Sequence, residues 1–249
     1  METAPDIFSR VRLLIGEEAL RRIESRKVIL FGCGGVGSWC ADSLVRSGVL
    51  DLTLVDGDVV GPTNINRQLM ATTLTVGQPK VEALRAHLLA INPSARIIAR
   101  EALFSAETAA SFALDDYDYV IDCIDSLKDK ITLLELASHS KATLFSSMGA
   151  ALKMDPTRVR VAEFWDVHGD PLARALRKKM RQEGRKTGKQ FLCVYSEELL
   201  ENRGEAIDPS LDESPIKKAV VNGTLSPVTA TFGHTLASLV LRDILGARE

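Results

Sequence analysis

Apolar residues recur along the first 150 positions with two alternating periods. Residues 27–32 form a continuous apolar run of strand length closed by a glycine, and residues 51–55, 96–100, 117–121 and 143–146 are further strand candidates. Helical spacing lies between them. Residues 17–25 place Leu20 and Ile23 on one face, residues 35–47 follow the first strand directly, and residues 79–91 carry Val81, Leu84, Leu88 and Ile91 on one stripe. A further helix turns Leu127, Ile131 and Leu134 inward and opens with Ser126 and Asp129 at capping-box spacing. Strand alternating with helix predicts an α/β fold, a Rossmann-like doubly wound and mostly parallel sheet.

The pattern changes past Met148. Residues 158–164 and 191–195 read as strands and residues 171–182 as a helix that runs into a basic, glycine-containing stretch. Residues 197–215 are acidic and poor in apolar side chains, the composition of a mobile loop, and residues 228–245 form a closing helix. The expected organisation is one domain over residues 1–150, with a C-terminal α/β extension over 151–249 integral to the same fold. Residues 219–241 contain no charged side chain, yet Asn222, Thr224, Ser226, Thr229, Thr231, His234 and Thr235 make them too polar for a lipid span. They predict a buried or dimer-facing helix starting near Ser226 and Pro227.

Composition adds bounds. With 45% hydrophobic and 26% charged residues, the chain is neither disordered, collagen-like nor coiled coil. Cys33, Cys40, Cys123 and Cys193 form no CxxC pair, which argues against a disulfide framework and against structural zinc and points to a reducing cytoplasm. The first residues lack the apolar stretch of a signal peptide, and no membrane association is expected. The formal charge of −2 conceals an asymmetry: residues 174–189 hold eight cations (Arg174, Arg177, Lys178, Lys179, Arg181, Arg185, Lys186 and Lys189) against Glu183 alone. That local +7 leaves −9 for the rest of the chain, so a cationic segment sits on an acidic body.

Candidate chemistry begins at Gly32, Gly34, Gly35 and Gly37, a GxGxxG pattern between strand and helix that lets backbone N–H groups approach phosphate. Asp56 ends the second strand, where a carboxylate meets ribose hydroxyls. Asp58, Asn64, Asn66, Arg67 and Gln68 follow, then Lys80 at a helix start, and later Asp122, Asp125 and Ser126 at another strand end. Strand ends of this fold collect at one edge. There Arg67 and Lys80 can neutralise a triphosphate and Asp125 can hold Mg²⁺, an arrangement better suited to ATP than to a dinucleotide.

This ordered set resembles the adenylation domain of the ubiquitin-activating-enzyme-like superfamily from Phe8 to Ser147. Phe8-Ser9-Arg10 is similar to the superfamily's Tyr-x-Arg, which implies that Arg10 reaches the nucleotide of a neighbouring subunit and that the chain forms a homodimer. The resemblance implies transfer of AMP to a carboxylate, with Arg10, Arg67, Lys80 and Asp125 as the catalytic set. Sulfur-carrier activators of the superfamily usually carry two CxxC pairs, and ubiquitin activators carry a catalytic cysteine in an added domain; this chain has neither. Cys193 reads as a buried strand residue, and His87, His139, His168 and His234 have no metal spacing.

The basic segment, the 191–196 strand, the 222–227 stretch and Arg10-x-x-Leu-Leu-Ile-Gly16 together resemble the tRNA threonylcarbamoyladenosine dehydratases over nearly the whole chain. That resemblance implies tRNA as partner, with residues 174–189 as its docking segment, and ATP with Mg²⁺ as co-reactants; a monovalent cation is compatible with it. The alternative is adenylation of the C-terminal Gly-Gly of a ubiquitin-like sulfur-carrier protein. A Rossmann oxidoreductase or a nucleotide-sensing module is the reading from another class.

Overall fold

The structure, a computed structural model, describes residues 6–205 and 221–246. Two short helices, α1 (Ser9–Ile15) and α2 (Glu17–Glu24), precede β1 (Lys27–Phe31), α3 (Gly37–Arg46) and β2 (Asp51–Asp56). Then come α4 (Lys80–Ile91), β3 (Arg96–Glu101), β4 (Tyr119–Asp122), α5 (Leu127–His139) and β5 (Thr143–Ser147). The remainder is β6 (Val159–Glu163), α6 (Pro171–Gln182), β7 (Leu192–Ser196) and α7 (Ser226–Leu245). They build one sheet in the order β3-β2-β1-β4-β5-β7-β6, in which only β6 runs antiparallel to its neighbour. The predicted doubly wound sheet is the fold observed, and the second half of the chain completes it by placing β7 beside β5.

Period-two alternation decides what each face packs. Val28 and Leu30 of β1 join α3, α4 and α7 in one apolar cluster, whereas Ile29 and Phe31 join α5 and α6 in the other. Burying each such side chain contributes about 1.5–3 kcal/mol, so both faces hold their helices firmly. The uncharged C-terminal stretch is a core helix: Val228, Phe232, Leu236, Val240 and Ile244 of α7 point inward, and Gly233 admits the α3 backbone close beside it. No helix among the described residues is long and apolar enough to cross a membrane.

Residues 9–15, for which no element was expected, are helical, with Leu13 and Leu14 exposed. Two expectations are corrected. Ser126 stands at the N-cap position of α5, but its Oγ accepts from no backbone N–H; its hydroxyl instead donates to Asp129 Oδ2 at 2.7 Å. The loop predicted to be mobile starts anchored: Glu198 accepts from Met154 N (2.9 Å) and Asp155 N (2.8 Å), and Leu200 N donates to Leu152 O. The portion of that loop from 206 to 215 lies outside the described residues.

Candidate functional site

The strand order reverses between β1 and β4, so the loops leaving their C-terminal ends diverge and open a crevice there. The β1–α3 loop fits it only because of its glycines. Gly32 has φ +91°, and a Cβ there would stand 2.7 Å from Cys123 O; a Cβ on Gly37 would stand 1.9 Å from Gly32 O. The turn is therefore as tight as backbone allows, and Gly34 is left facing only the amide of Gln68.

Acidic and basic groups line one wall. Asp56 accepts from Cys33 N (2.7 Å) and Asp58 N (2.8 Å), which ties the glycine loop to the end of β2. Burial pushes its carboxyl above the usual range, with the Lys80 ammonium and the two N–H groups pulling the other way. Lys80, whose side chain is 8% exposed at the start of α4, donates to Asp58 Oδ2 at 2.6 Å. Arg67 is half-buried; its guanidinium donates to Thr63 O and Asn66 Oδ1, and Trp39 Nε1 holds its carbonyl at 2.9 Å. Asn64 accepts from Gly61 N and Asn66 donates to Thr224 O, so these two side chains shape the 61–68 segment and tie it to the approach of α7. Gln68 is buried, and its Oε1 has no hydrogen-bond partner among the described residues.

The 122–126 loop forms the other wall. Asp122 is fully buried: Lys130 Nζ (2.6 Å) and Ser146 Oγ (2.6 Å) donate to its Oδ2, and Ile124 N donates to Oδ1. The carboxylate expected at the nucleotide is thus closed off from it, because a buried charge must be paired where it lies. Its work is to clamp the turn that presents exposed Asp125 and half-buried Ser126. Lys130, fully buried, also donates to Ile124 O. It was missed by sequence reasoning, although a lysine on the same helical face as Leu127, Ile131 and Leu134 was the available signal.

The glycine loop, Asp56, Asp58, Arg67, Gln68 and Lys80 converge, with the 122–126 turn touching Gly32 through Cys123. Arg10 does not join them; it is exposed on α1, with no hydrogen bond or ion pair among the described residues. Cys33, Cys40 and Cys193 are buried and Cys123 is half-buried, and burial pushes all four thiols up, away from nucleophilic use. In a cleft at the opposite strand edge Arg26 pairs with Asp118 and Tyr119 with Asp243.

The residues present fit a nucleoside triphosphate: a backbone cradle, the cations Arg67 and Lys80, and the buried Gln68 Oε1, which lacks a donor among the described residues. Among the described residues no three His, Cys, Asp or Glu side chains form a metal cage. Asp125 alone matches Mg²⁺ that arrives with phosphates, which is how that ion is usually bound.

The basic segment is divided by the fold. Arg177 Nη1 donates to Phe164 O (2.7 Å), Arg185 pairs with Glu135 (2.6 Å), and Lys189 Nζ donates to Ser140 O (2.8 Å) and Ala142 O. Lys179 reaches Glu183 at 3.7 Å, and Arg181 lies over the Trp165 ring at 5.3 Å. Arg174, Lys178 and Lys186 are exposed.

The chain matches the ThiF family over residues 8–249. It is similar to the tRNA threonylcarbamoyladenosine dehydratase of Bacillus subtilis (strain 168), at 39% identity over 234 residues covering 94% of this chain and 91% of that one. It is also similar to the crystal structure of Escherichia coli tRNA N6-threonylcarbamoyladenosine dehydratase in complex with ATP, with TM-score 0.84, 32% identity and coverage of 96% and 94%. Similarity to the Escherichia coli (strain K12) molybdopterin-synthase adenylyltransferase is 38% over 162 residues, covering 65% of this chain and 61% of that one.

Proposed function

The chain belongs to the ThiF family, and from that premise we propose that it dehydrates N6-threonylcarbamoyladenosine beside the anticodon of tRNA, using ATP to activate the threonyl carboxylate. A carboxylate oxygen attacks the α-phosphorus, the bond to pyrophosphate breaks, and an acyl-adenylate forms. The carbamoyl group of the same modification then attacks the acyl carbon, loses a proton and expels AMP, so the net loss from the nucleoside is water. That second nucleophile is tethered to its target, and such arrangements reach effective molarities of about 10⁵–10⁸ M.

One observation carries this reading. The site offers a phosphate cradle and cations, while Cys33, Cys40 and Cys193 are buried, Cys123 is half-buried, and desolvation pushes all four thiols up, which makes them poor nucleophiles. An acyl-adenylate made here must therefore be discharged by a group that the substrate brings. In this reading Lys80 and Arg67 stabilise the charge that builds on the phosphates, and Asp56 receives the ribose hydroxyls. Gln68 Oε1 accepts a donor from the bound nucleotide. Asp125 would hold Mg²⁺ carried in on the phosphates, which supplies charge neutralisation on the departing pyrophosphate.

The protein works in this reading as a cytoplasmic homodimer. Ile7, Leu13 and Leu14 are 60%, 87% and 85% exposed around Arg10, an apolar face that a second copy would cover while bringing Arg10 to the neighbouring nucleotide.

The test is mass spectrometry of tRNA nucleosides after incubation with ATP. The wild-type chain should convert the modified nucleoside to a product lighter by one water, and Lys80→Ala or Asp125→Ala should lower AMP formation by about 100-fold or more. Full activity in either variant refutes the site assignment. The similarity to molybdopterin-synthase adenylyltransferase favours one second reading, activation of a carrier protein's Gly-Gly end. ATP–pyrophosphate exchange that needs such a carrier and ignores tRNA would select it.

A further inference from the structure

The division of the basic segment has a geometric logic. Ala173, Leu176 and Met180 form the buried face of α6, and Arg174, Lys178 and Arg181 fall at i, i+4 and i+7 on the face turned away from it. All three are exposed, as is Lys186 in the loop that continues the helix. Among the described residues no carboxylate lies within ion-pair distance of Arg174, Lys178, Arg181 or Lys186, so this row of charge is not neutralised by the acidic body. Arg177, Arg185 and Lys189 do the opposite. Their cationic ends are spent on Phe164 O, on Glu135 and Thr132, and on the carbonyls of Ser140 and Ala142, which fastens α6 and its following loop to β6 and α5.

The row has a direction. Asp170, the N-cap of α6, accepts from Ala173 N, and its Oδ2 lies 3.4 Å from where a Cβ on Gly149 would stand. Gly149 follows β5, so α6 begins at the sheet edge that carries the glycine loop and the 122–126 turn. At its far end Arg185 meets Glu135 and Gly188 N meets Ser138 Oγ, near the C-terminal end of α5. The exposed cations therefore lead from the mouth of the site down the flank. From Arg174 to Arg181 the helix rises about 10 Å, the axial reach of about three nucleotides of one strand.

We infer that the exposed row Arg174, Lys178, Arg181 and Lys186 is the docking surface for the phosphate backbone of the tRNA stem adjoining the modified nucleotide, and that Arg177, Arg185 and Lys189 are staples that make no RNA contact. This rests on the dehydratase reading above. The Arg181 guanidinium, held over Trp165, is the fixed point of the row, and the other three are free to follow a backbone.

Salt dependence of tRNA binding by the full chain separates the two groups, because each lost phosphate contact lowers the slope of log K against log salt by about 0.7–0.9. The triple variant Arg174→Ala/Lys178→Ala/Lys186→Ala should lower the slope by about 2–3 and raise the tRNA KM while kcat is retained. Arg185→Gln/Lys189→Gln should melt at lower temperature yet keep the wild-type slope under conditions where it is folded; Lys189→Gln alone serves if the double variant does not fold. A wild-type slope in the triple variant, or an equal loss in the staple variants, overturns the inference. Tight, salt-dependent binding of tRNA by the wild-type chain without any water loss from its nucleoside would instead overturn the dehydratase reading.

Discussion

Replacing Lys130 with methionine removes one cation from a wholly buried cluster and leaves its carboxylate behind. In the native chain Lys130 Nζ donates to Asp122 Oδ2 at 2.6 Å and to Ile124 O at 3.0 Å, with both side chains fully enclosed. Methionine fills similar volume but donates nothing, so Asp122 keeps only Ser146 Oγ and Ile124 N as donors. Breaking a buried pair by removing one partner costs about 3–5 kcal/mol. In a domain of this size that corresponds to a fall in Tm on the order of 10 °C. Urea unfolding followed by circular dichroism should show that loss, and AMP formation should fall with it because the 122–126 turn no longer presents Asp125 rigidly. Lys130→Met/Asp122→Asn removes the charge as well and keeps an acceptor for Ser146 and Ile124, so it should recover at least about half of the lost stability. If the single variant loses less than about 1 kcal/mol, or the double variant is no more stable than the single, the cluster is not the clamp described here.

Two further outcomes test other parts of the structure. Backbone N–H groups of Asp155 and Met154 hold the Glu198 carboxyl below its usual range. A group lowered in the folded state contributes stability that is present above its unfolded value and lost as pH falls through the folded one. Glu198→Gln should therefore be less stable than wild type at neutral pH, with the difference closing below about pH 4; a pH-independent difference in thermal melts would contradict this. Equal mixing of Arg10→Ala and Lys80→Ala chains by unfolding and refolding should restore about a quarter of wild-type activity, since half of the dimers are mixed and each carries one intact site. No restoration would mean that Arg10 acts within its own chain, and full activity of Arg10→Ala alone would mean that it takes no part.

Local interactions made much of the molecule legible in its sequence. The helix 171–182 is found at its predicted bounds because Asp170 caps it and Pro171 starts it, both effects that span one turn. β1 followed from a continuous apolar run of strand length, β2 from a short strand-like segment, α4 from apolar residues at helical spacing, and the glycine loop from the steric demand of turning straight from strand into helix. These features need no knowledge of distant residues. Asp56, Asp58, Arg67 and Lys80 could be picked out as charged candidates from their places after the strands, whereas Lys130 could not, and the asymmetry between a cationic segment and an acidic body was readable from composition.

Where each charged group ends up was decided only in three dimensions. Asp122 and Asp125 stand in one short motif, yet the first is sealed against Lys130 and Ser146 while the second is exposed, and Ser146 lies on another strand. Arg177 and Lys178 are adjacent, yet one is committed to Phe164 and the other points to solvent. Composition and period determined which elements form and which charges the chain carries. Tertiary packing decided which of those charges are desolvated, and a desolvated charge must find a partner before it can do anything else.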